Sequence, residues 1–345
     1  MRIAKQAEKW YCIYNDKPDT PKREVGMSVL DSYHRNITYL RLSVTELCNL
    51  RCRYCMPEEG VYKKRHEDML TQEEMLRAVR VCASLGVQKV RITGGEPLVK
   101  PNILALCRET AATEGIEELC LTTNGTLLPK FAQALKEAGV ERLNISLDTL
   151  DETKYRRITR GGELADAQKG IDTALSAGFR KIKINTVLIG GFNTDEIASL
   201  AELTCQAPVD VRFIELMPIG NSREFGPEAY VPNTVVLGKL PELEALPADG
   251  SVAKLYHLPG AQGNIGLISP VSAHFCAACN RIRITADGKV KPCLHSSDEI
   301  TIKGMDEEQM RETIKTAILD KPQWHGELSY YERSHAARNM NQIGG

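Results

Sequence analysis

Runs rich in β-formers recur along the chain at residues 37–44, 89–93, 119–123, 142–147, 182–189 and 209–216, and segments with helical spacing separate them at 72–85, 102–113, 128–138, 164–177 and 194–205. Several strand-to-strand intervals are about 30 residues, the length of a right-handed crossover. Gly86, Gly139 and Gly178 stand where the helices should close. This alternation leaves the chain little choice: the sheet is parallel and covered by helices. Periodicity alone does not say whether such a sheet opens flat or curls. The residues that follow the strands do help, because Thr93-Gly94-Gly95-Glu96-Pro97, Thr122-Thr123-Asn124-Gly125, Ser146-Leu147-Asp148 and Glu215-Leu216-Met217-Pro218 put small and polar groups at several strand ends. That pattern suits a barrel rim, where each strand contributes one group to a shared site. The expected fold is therefore α/β: a partial (β/α)6 TIM-like barrel over residues 30–218, an aperiodic extension at 1–29, and a Gly/Pro-punctuated C-terminal region at 219–345.

Charge excludes some partners. Lys+Arg 44 against Asp+Glu 45 leaves a net charge of -1, so no overall field recommends nucleic acid or an anionic membrane. No stretch approaches the roughly 18 apolar residues of a spanning helix, and the first residues lack a secretory h-region, so a cytoplasmic protein is expected. Eleven cysteines is an odd count for a disulfide framework and points to metal or redox chemistry. Cys12, Cys82, Cys107, Cys120 and Cys205 are scattered and read as small buried hydrophobes. The other six form two groups.

Cys48, Cys52 and Cys55 lie within eight residues, so one wrapping loop after the first strand brings three thiolates to a single cluster. A closed zinc site wants four ligands, whereas a four-iron cluster on three cysteines keeps one iron open; zinc completed by a distant histidine is the alternative. Cys276, Cys279 and Cys293 again give three ligands, with zinc using His274 or His295 as the competing reading.

The C-x-x-x-C-x-Y-C run followed by Gly94-Gly95-Glu96-Pro97 resembles the radical S-adenosylmethionine (SAM) superfamily. The resemblance implies that a [4Fe-4S] cluster on Cys48, Cys52 and Cys55 chelates SAM and cleaves it to a 5'-deoxyadenosyl radical. Glu96 is then expected to accept from the SAM ammonium, with the glycines letting the backbone approach. The run from Gly263 through Cys276 and Cys279 to Arg283, together with Tyr39-Leu-Arg41-Leu-Ser and Gly344-Gly345, resembles the GTP 3',8-cyclase family of molybdenum cofactor biosynthesis, from about Leu30 onward.

That resemblance implies a second [4Fe-4S] cluster on Cys276, Cys279 and Cys293, GTP as substrate, and a Gly-Gly tail reaching into the active site. The implied reaction removes the ribose 3' hydrogen, lets the carbon radical attack guanine C8, and yields (8S)-3',8-cyclo-7,8-dihydroguanosine 5'-triphosphate. No G-x-x-x-x-G-K-[ST] loop is present, so side chains must hold the phosphates. By motif matching Arg41, Arg91, Thr122, Lys183, Arg281, Ile282 and Arg283 contact GTP, and Tyr54, Gly95, Ser146 and Met217 contact SAM. Lys89 and Arg212, at strand ends facing the same mouth, join the GTP set. Cys48, Cys52, Cys55, Arg281 and Arg283 form the expected catalytic set. An external one-electron donor, a homodimer, and cyclic pyranopterin monophosphate synthase as the next enzyme are the implied partners. The rival enzyme is a radical SAM protein that modifies a peptide, which usually carries more cysteines beyond the barrel than this chain does.

Overall fold

The computed structural model describes residues 29–344; Cys12, most of the expected extension and Gly345 lie outside the described residues. Six strands form as expected: β1 (Tyr39–Ser43), β2 (Lys89–Thr93), β3 (Glu118–Thr123), β4 (Arg142–Ser146), β5 (Lys181–Leu188) and β6 (Val209–Glu215). They pair in chain order, every neighbour parallel. Between them run α1 (Gln72–Ser84), α2 (Ile103–Ala111), α3 (Leu128–Glu137), α4 (Glu152–Thr159), α5 (Leu164–Ala177) and α6 (Ile197–Gln206). Helix α4 was not among the expected elements. It is two turns long, opened by Asp151, whose side chain accepts from the Lys154 amide, and it has too few apolar positions to stand out as a period.

The residues after 218 do not stand apart from the sheet. They form α7 (Thr234–Lys239), β7 (Glu244–Ala245), β8 (Lys254–His257), β9 (Ile265–Ile268), β10 (Arg281–Ile284), β11 (Lys289–Lys291), β12 (Ile300–Thr301), α8 (Glu307–Leu319) and α9 (Met340–Ile343). Strand β9 joins β6 and β10 joins β1, both in parallel, with antiparallel pairs beyond each. The six-stranded sheet expected from the sequence is thus the middle of a twelve-stranded one. It is curled, because side chains from β10 and from β6 line one cavity.

Alternation along the strands makes the two faces of the sheet. In β5 the residues Ile182, Ile184 and Leu188 are buried under the helices, while Lys183 and Asn185 point into the cavity. Leu40, Leu42, Val90, Ile92, Leu119 and Leu121 continue the helix-side layer, each worth about 1.5–3 kcal/mol of burial. Cys82, Cys107 and Cys120 are buried as expected, but Cys205 is only half-buried. It falls off the apolar stripe of α6, which runs through Ile197, Leu200, Ala201 and Thr204.

The end of β5 is fixed by one fully buried amide. Asn193 donates to the Asp148 carbonyl (2.7 Å) and the Val187 carbonyl (2.8 Å), and accepts from the Ile189 amide (2.9 Å). Asn193→Ala strands all three backbone groups and is expected to cost roughly 2–4 kcal/mol in chemical denaturation.

Candidate active site

The first cysteine loop is wedged between the ends of β1 and β2 and the C-terminal end of α4. Gly95 donates to the Thr45 carbonyl (2.7 Å), Glu96 to the Leu47 carbonyl (2.8 Å), and the amides of Arg51 and Arg53 donate to Thr159 and Ile158. A Cβ on Gly95 would lie 2.2 Å from the Leu47 carbonyl oxygen. The close approach that needs this glycine is therefore to the cysteine loop, although Gly95 also lines a cavity with the three sulfurs.

The expected role of Glu96 is corrected. Its carboxylate is fully buried and accepts from the Leu98 amide (3.0 Å), the Thr123 hydroxyl (2.8 Å) and the Asn124 amide (2.7 Å), so it is turned away from any ligand. It ties the loop after β2 to the loop after β3, and burial raises its pKa to about 7.

Cys48, Cys52 and Cys55 line a cavity of about 190 Å³ with Tyr54, Gly95, Thr122, Ser146 and Met217. Thr122, expected beside GTP, thus falls on the SAM side of the expected division, where its hydroxyl accepts from Arg91 (3.3 Å). The Tyr54 hydroxyl donates to Asp148 (2.7 Å), which holds the ring beside the sulfurs. Burial pushes the Cys48 thiol up to about 11 and Cys55 up to about 12, and raises Asp148 to about 6. Thiols so placed ionise when a metal cluster supplies the compensating charge.

Cys276, Cys279 and Cys293 line a second cavity of about 440 Å³. Strand register builds its cationic wall in rows. Arg283, Arg41 and Arg91 stand side by side on β10, β1 and β2, and Arg281, Tyr39 and Lys89 form the adjacent row. Arg142, Lys183, Arg212 and Lys321 complete nine basic side chains, against Asp249 as the one carboxylate among the described lining residues. Three of the nine are already paired, Lys89 and Arg142 (2.6 Å) with Glu118 and Arg212 with Asp210 (2.9 Å). Burial, then the neighbouring Arg281, lowers the Arg283 guanidinium to about 10.

Ile282 is also corrected: its side chain is buried in the hydrophobic core on the opposite face of β10 from Arg281 and Arg283. Several lining residues were not expected. Arg142 and Asn144 alternate inward along β4, and Tyr39 accepts from Arg91 while Lys89, Arg91 and Arg281 approach its ring at 5.1, 6.0 and 5.9 Å. The alternation itself was the available signal for these. Buried polar atoms at Asn144 Oδ1, Asn185 Oδ1 and Arg281 Nε have no hydrogen-bond partner, as expected of a wall that receives a polar ligand.

The two cavities meet, sharing Asn185, Ile214, Met217 and Met340, so the cysteine groups face each other along one space. The Gly344 carbonyl reaches into it and accepts from Arg283 (2.7 Å) and Arg41 (3.4 Å). Its φ is 79° and a Cβ there would meet the Thr93 methyl at 2.7 Å, so only glycine fits. Burial opposes ionisation of Cys279, but Lys321 and Arg281 overcome it and hold that thiol below its ordinary value. His295 bonds Ser334 (3.1 Å) and His274 packs on Trp324. Among the described residues no three His, Cys, Asp or Glu side chains converge on a single-ion position.

Two family models match the chain: the Radical SAM superfamily over residues 42–204 and Molybdenum Cofactor Synthesis C over residues 209–327. The chain is 48% identical over 321 residues to the GTP 3',8-cyclase of Alkaliphilus metalliredigens, covering 91% of this chain and 99% of that relative. It is 46% identical over 325 residues to the GTP 3',8-cyclase of Moorella thermoacetica, covering 91% and 99%. Among solved structures, Streptococcus suis SuiB superposes with a TM-score of 0.59 over 85% of this chain and 68% of that one, at 16% identity, a likeness of fold alone.

Lys183 gives the larger cavity a pH dependence. Burial, then Arg212 and Arg142, lowers its pKa to about 7, so it is charged below that pH and neutral above it. An anionic ligand favours the charged form. A polyphosphate ligand is therefore expected to bind most tightly below about pH 7 and to weaken as pH rises through 8, with proton uptake seen by calorimetry in buffers of different ionisation enthalpy. Lys183→Arg should flatten the profile.

Proposed function

The chain belongs to the GTP 3',8-cyclase family of radical SAM enzymes, and on that premise we propose how its residues divide the work. The reaction is the first step of molybdenum cofactor biosynthesis, the conversion of GTP to (8S)-3',8-cyclo-7,8-dihydroguanosine 5'-triphosphate, and it uses SAM and two [4Fe-4S] clusters. The peptide-modifying alternative is not favoured.

In this reading Cys48, Cys52 and Cys55 hold the cluster that receives SAM, and Cys276, Cys279 and Cys293 hold the cluster that faces the guanine. Bound there, the reduced first cluster and SAM supply the radical chemistry that begins by removing the ribose 3' hydrogen. The protein's own residues bind, orient and exclude water. Tyr54, Gly95, Ser146 and Met217 form the wall for SAM, with Tyr54 kept in place by Asp148. Arg41, Arg91, Lys183, Arg281 and Arg283 take the triphosphate, with Lys89 and Arg212 contributing less because each already has a carboxylate partner. Ile214, Met217 and Met340 separate the two ends with apolar surface, which keeps water from the path between ribose and SAM.

The observation that carries the proposal is the placement of the two cysteine groups at the two ends of one continuous space whose larger part is walled by nine basic side chains. An external one-electron donor, a homodimeric assembly and hand-over of product to cyclic pyranopterin monophosphate synthase belong to the same proposal. No helix of the described residues is long and apolar enough to cross a membrane; a cytoplasmic location is proposed.

The test is anaerobic reconstitution with iron and sulfide, followed by SAM, GTP and dithionite, with 5'-deoxyadenosine and a nucleotide product isomeric with GTP followed together by mass spectrometry. Deoxyadenosine without the nucleotide product would remove GTP as substrate. Cys52→Ala is expected to abolish SAM cleavage, while Cys279→Ala retains some cleavage and loses cyclisation. Arg283→Ala should weaken GTP binding by at least about tenfold, in line with roughly 1.5–3 kcal/mol for a charge-assisted hydrogen bond, with iron content unchanged.

A further inference from the structure

A cavity that binds a nucleoside triphosphate must accept it either with a divalent cation or without one. Sites that take the magnesium complex hold the ion on one or two carboxylates or hydroxyls beside the phosphates, because Mg2+ demands oxygen ligands in near-octahedral array. The larger cavity is built of the opposite charge. Nine basic side chains line it. Two carboxylates outside the lining already serve that wall: Glu118 takes Lys89 and Arg142 (2.6 Å), and Asp210 takes Arg212 (2.9 Å). With Lys183 protonated, setting Glu118, Asp210 and Asp249 against the nine leaves six positive charges in excess. A nucleoside triphosphate carries about four negative charges at neutral pH and about two once Mg2+ is bound, so the free anion meets this excess better.

Asp249 is the one lining carboxylate among the described residues, and it is exposed on the loop between β7 and β8. It is engaged within its own turn. One of its oxygens accepts from the Ser251 amide (2.9 Å), and the Ser251 hydroxyl donates to the Ala253 carbonyl (3.1 Å). The wall opposite offers donors instead of ligands. Arg283, Arg41 and Arg91 stand in register on three strands, and Arg281 Nε and Arg212 Nη1 are buried N–H groups without a hydrogen-bond partner. Phosphate oxygens satisfy such donors; an ion seated on the same oxygens would compete with them and would meet repulsion from every cation nearby.

We propose that this site takes its nucleoside triphosphate as the metal-free anion, and that Mg2+ competes with the protein for the phosphates instead of bridging the two. The inference rests on the reading of the larger cavity as the GTP site and adds the ionic form in which the substrate enters. Guanidinium and ammonium groups supply the neutralisation that Mg2+ supplies elsewhere. The chemistry agrees with that division. Bonds change at the ribose and the guanine and none in the triphosphate, so the phosphates are a handle and require no Lewis acid to activate a leaving group.

The experiment titrates GTP into reconstituted full-length protein by anaerobic calorimetry, without SAM or reductant so that no turnover occurs. One buffer is free of magnesium; the other holds millimolar MgCl2, with ionic strength matched by NaCl. Magnesium is expected to weaken the apparent affinity by about tenfold or more, in proportion to the share of nucleotide left metal-free. Affinity that magnesium leaves unchanged or improves overturns the proposal. Inorganic tripolyphosphate, titrated in the same two buffers, is expected to respond in the same direction, which makes the test independent of the guanine. Asp249→Asn addresses magnesium held by that carboxylate: binding of GTP equal to or tighter than that of the parent protein in both buffers is expected, and a variant weakened only in magnesium overturns the proposal. If GTP binds in neither buffer while tripolyphosphate is still weakened by magnesium, the metal-free preference of the wall stands and the reading of the cavity as a GTP site falls.

Discussion

Like-charge repulsion inside a curled sheet is the constraint on which the rest of this molecule depends. Nine basic side chains line a cavity in which Asp249 is the one carboxylate among the described lining residues. Two cations about 7 Å apart repel by roughly 2–2.5 kcal/mol at an effective dielectric of about 20. Arg283, Arg41 and Arg91 stand in register on β10, β1 and β2, where strand pairing limits how far their charges can spread. The strain shows in the lowered pKa of Lys183, Arg41 and Arg283, for which burial is the first cause and neighbouring cations the next. A core of this kind tolerates the repulsion because the helix-facing side of each strand is continuous apolar burial. A triphosphate relieves it, so the free energy withheld in folding becomes available for binding.

The two cysteine groups sit in different electrostatic settings, although burial raises Cys276 of the second as it raises the thiols of the first. Around the first, burial dominates and the nearby carboxylates of Asp148 and Glu96 raise thiol pKa further. Around the second, Lys321, Arg281 and Arg283 lie close to Cys279 and pull its pKa down.

Much of the architecture was legible in the sequence because it is local. All six inner strands fall within two residues of their expected ends, since a strand–helix period and glycine caps are written in short stretches. Gly86, Gly139 and Gly178 all adopt positive φ as expected of residues that close helices. The partners of β9 and β10 were not legible, because each pairs with a strand far away in sequence and nothing short-range encodes that choice. A charge network around Arg338 was hidden for the same reason: its members come from residues 46, 64, 287, 291, 299 and 338. Glu96 was misread for a different reason. A carboxylate in a Gly-Gly-Glu loop near a ligand site looks free on paper, but three nearby donors claim it once the loops after β2 and β3 are brought together.

Ile282 shows where a local rule outranks a motif. The segments Tyr39-Leu-Arg41-Leu-Ser, Lys89-Val-Arg91-Ile-Thr and Arg281-Ile-Arg283-Ile share one alternation, polar or charged then aliphatic. In a strand successive side chains point to opposite faces. If Arg281 and Arg283 face the cavity, Ile282 cannot, and it must join Leu40 and Val90, its partners across β1 and β2, in the layer under the helices. Its contribution to the site is then made through packing: an apolar residue that anchors β10 against the helix layer keeps the two flanking arginines at fixed spacing. Strand pairing with β1 does the rest, setting Arg283 beside Arg41 and leaving both aimed at the Gly344 carbonyl. The positive wall and the apolar layer are therefore one structural decision, made every second residue along three strands.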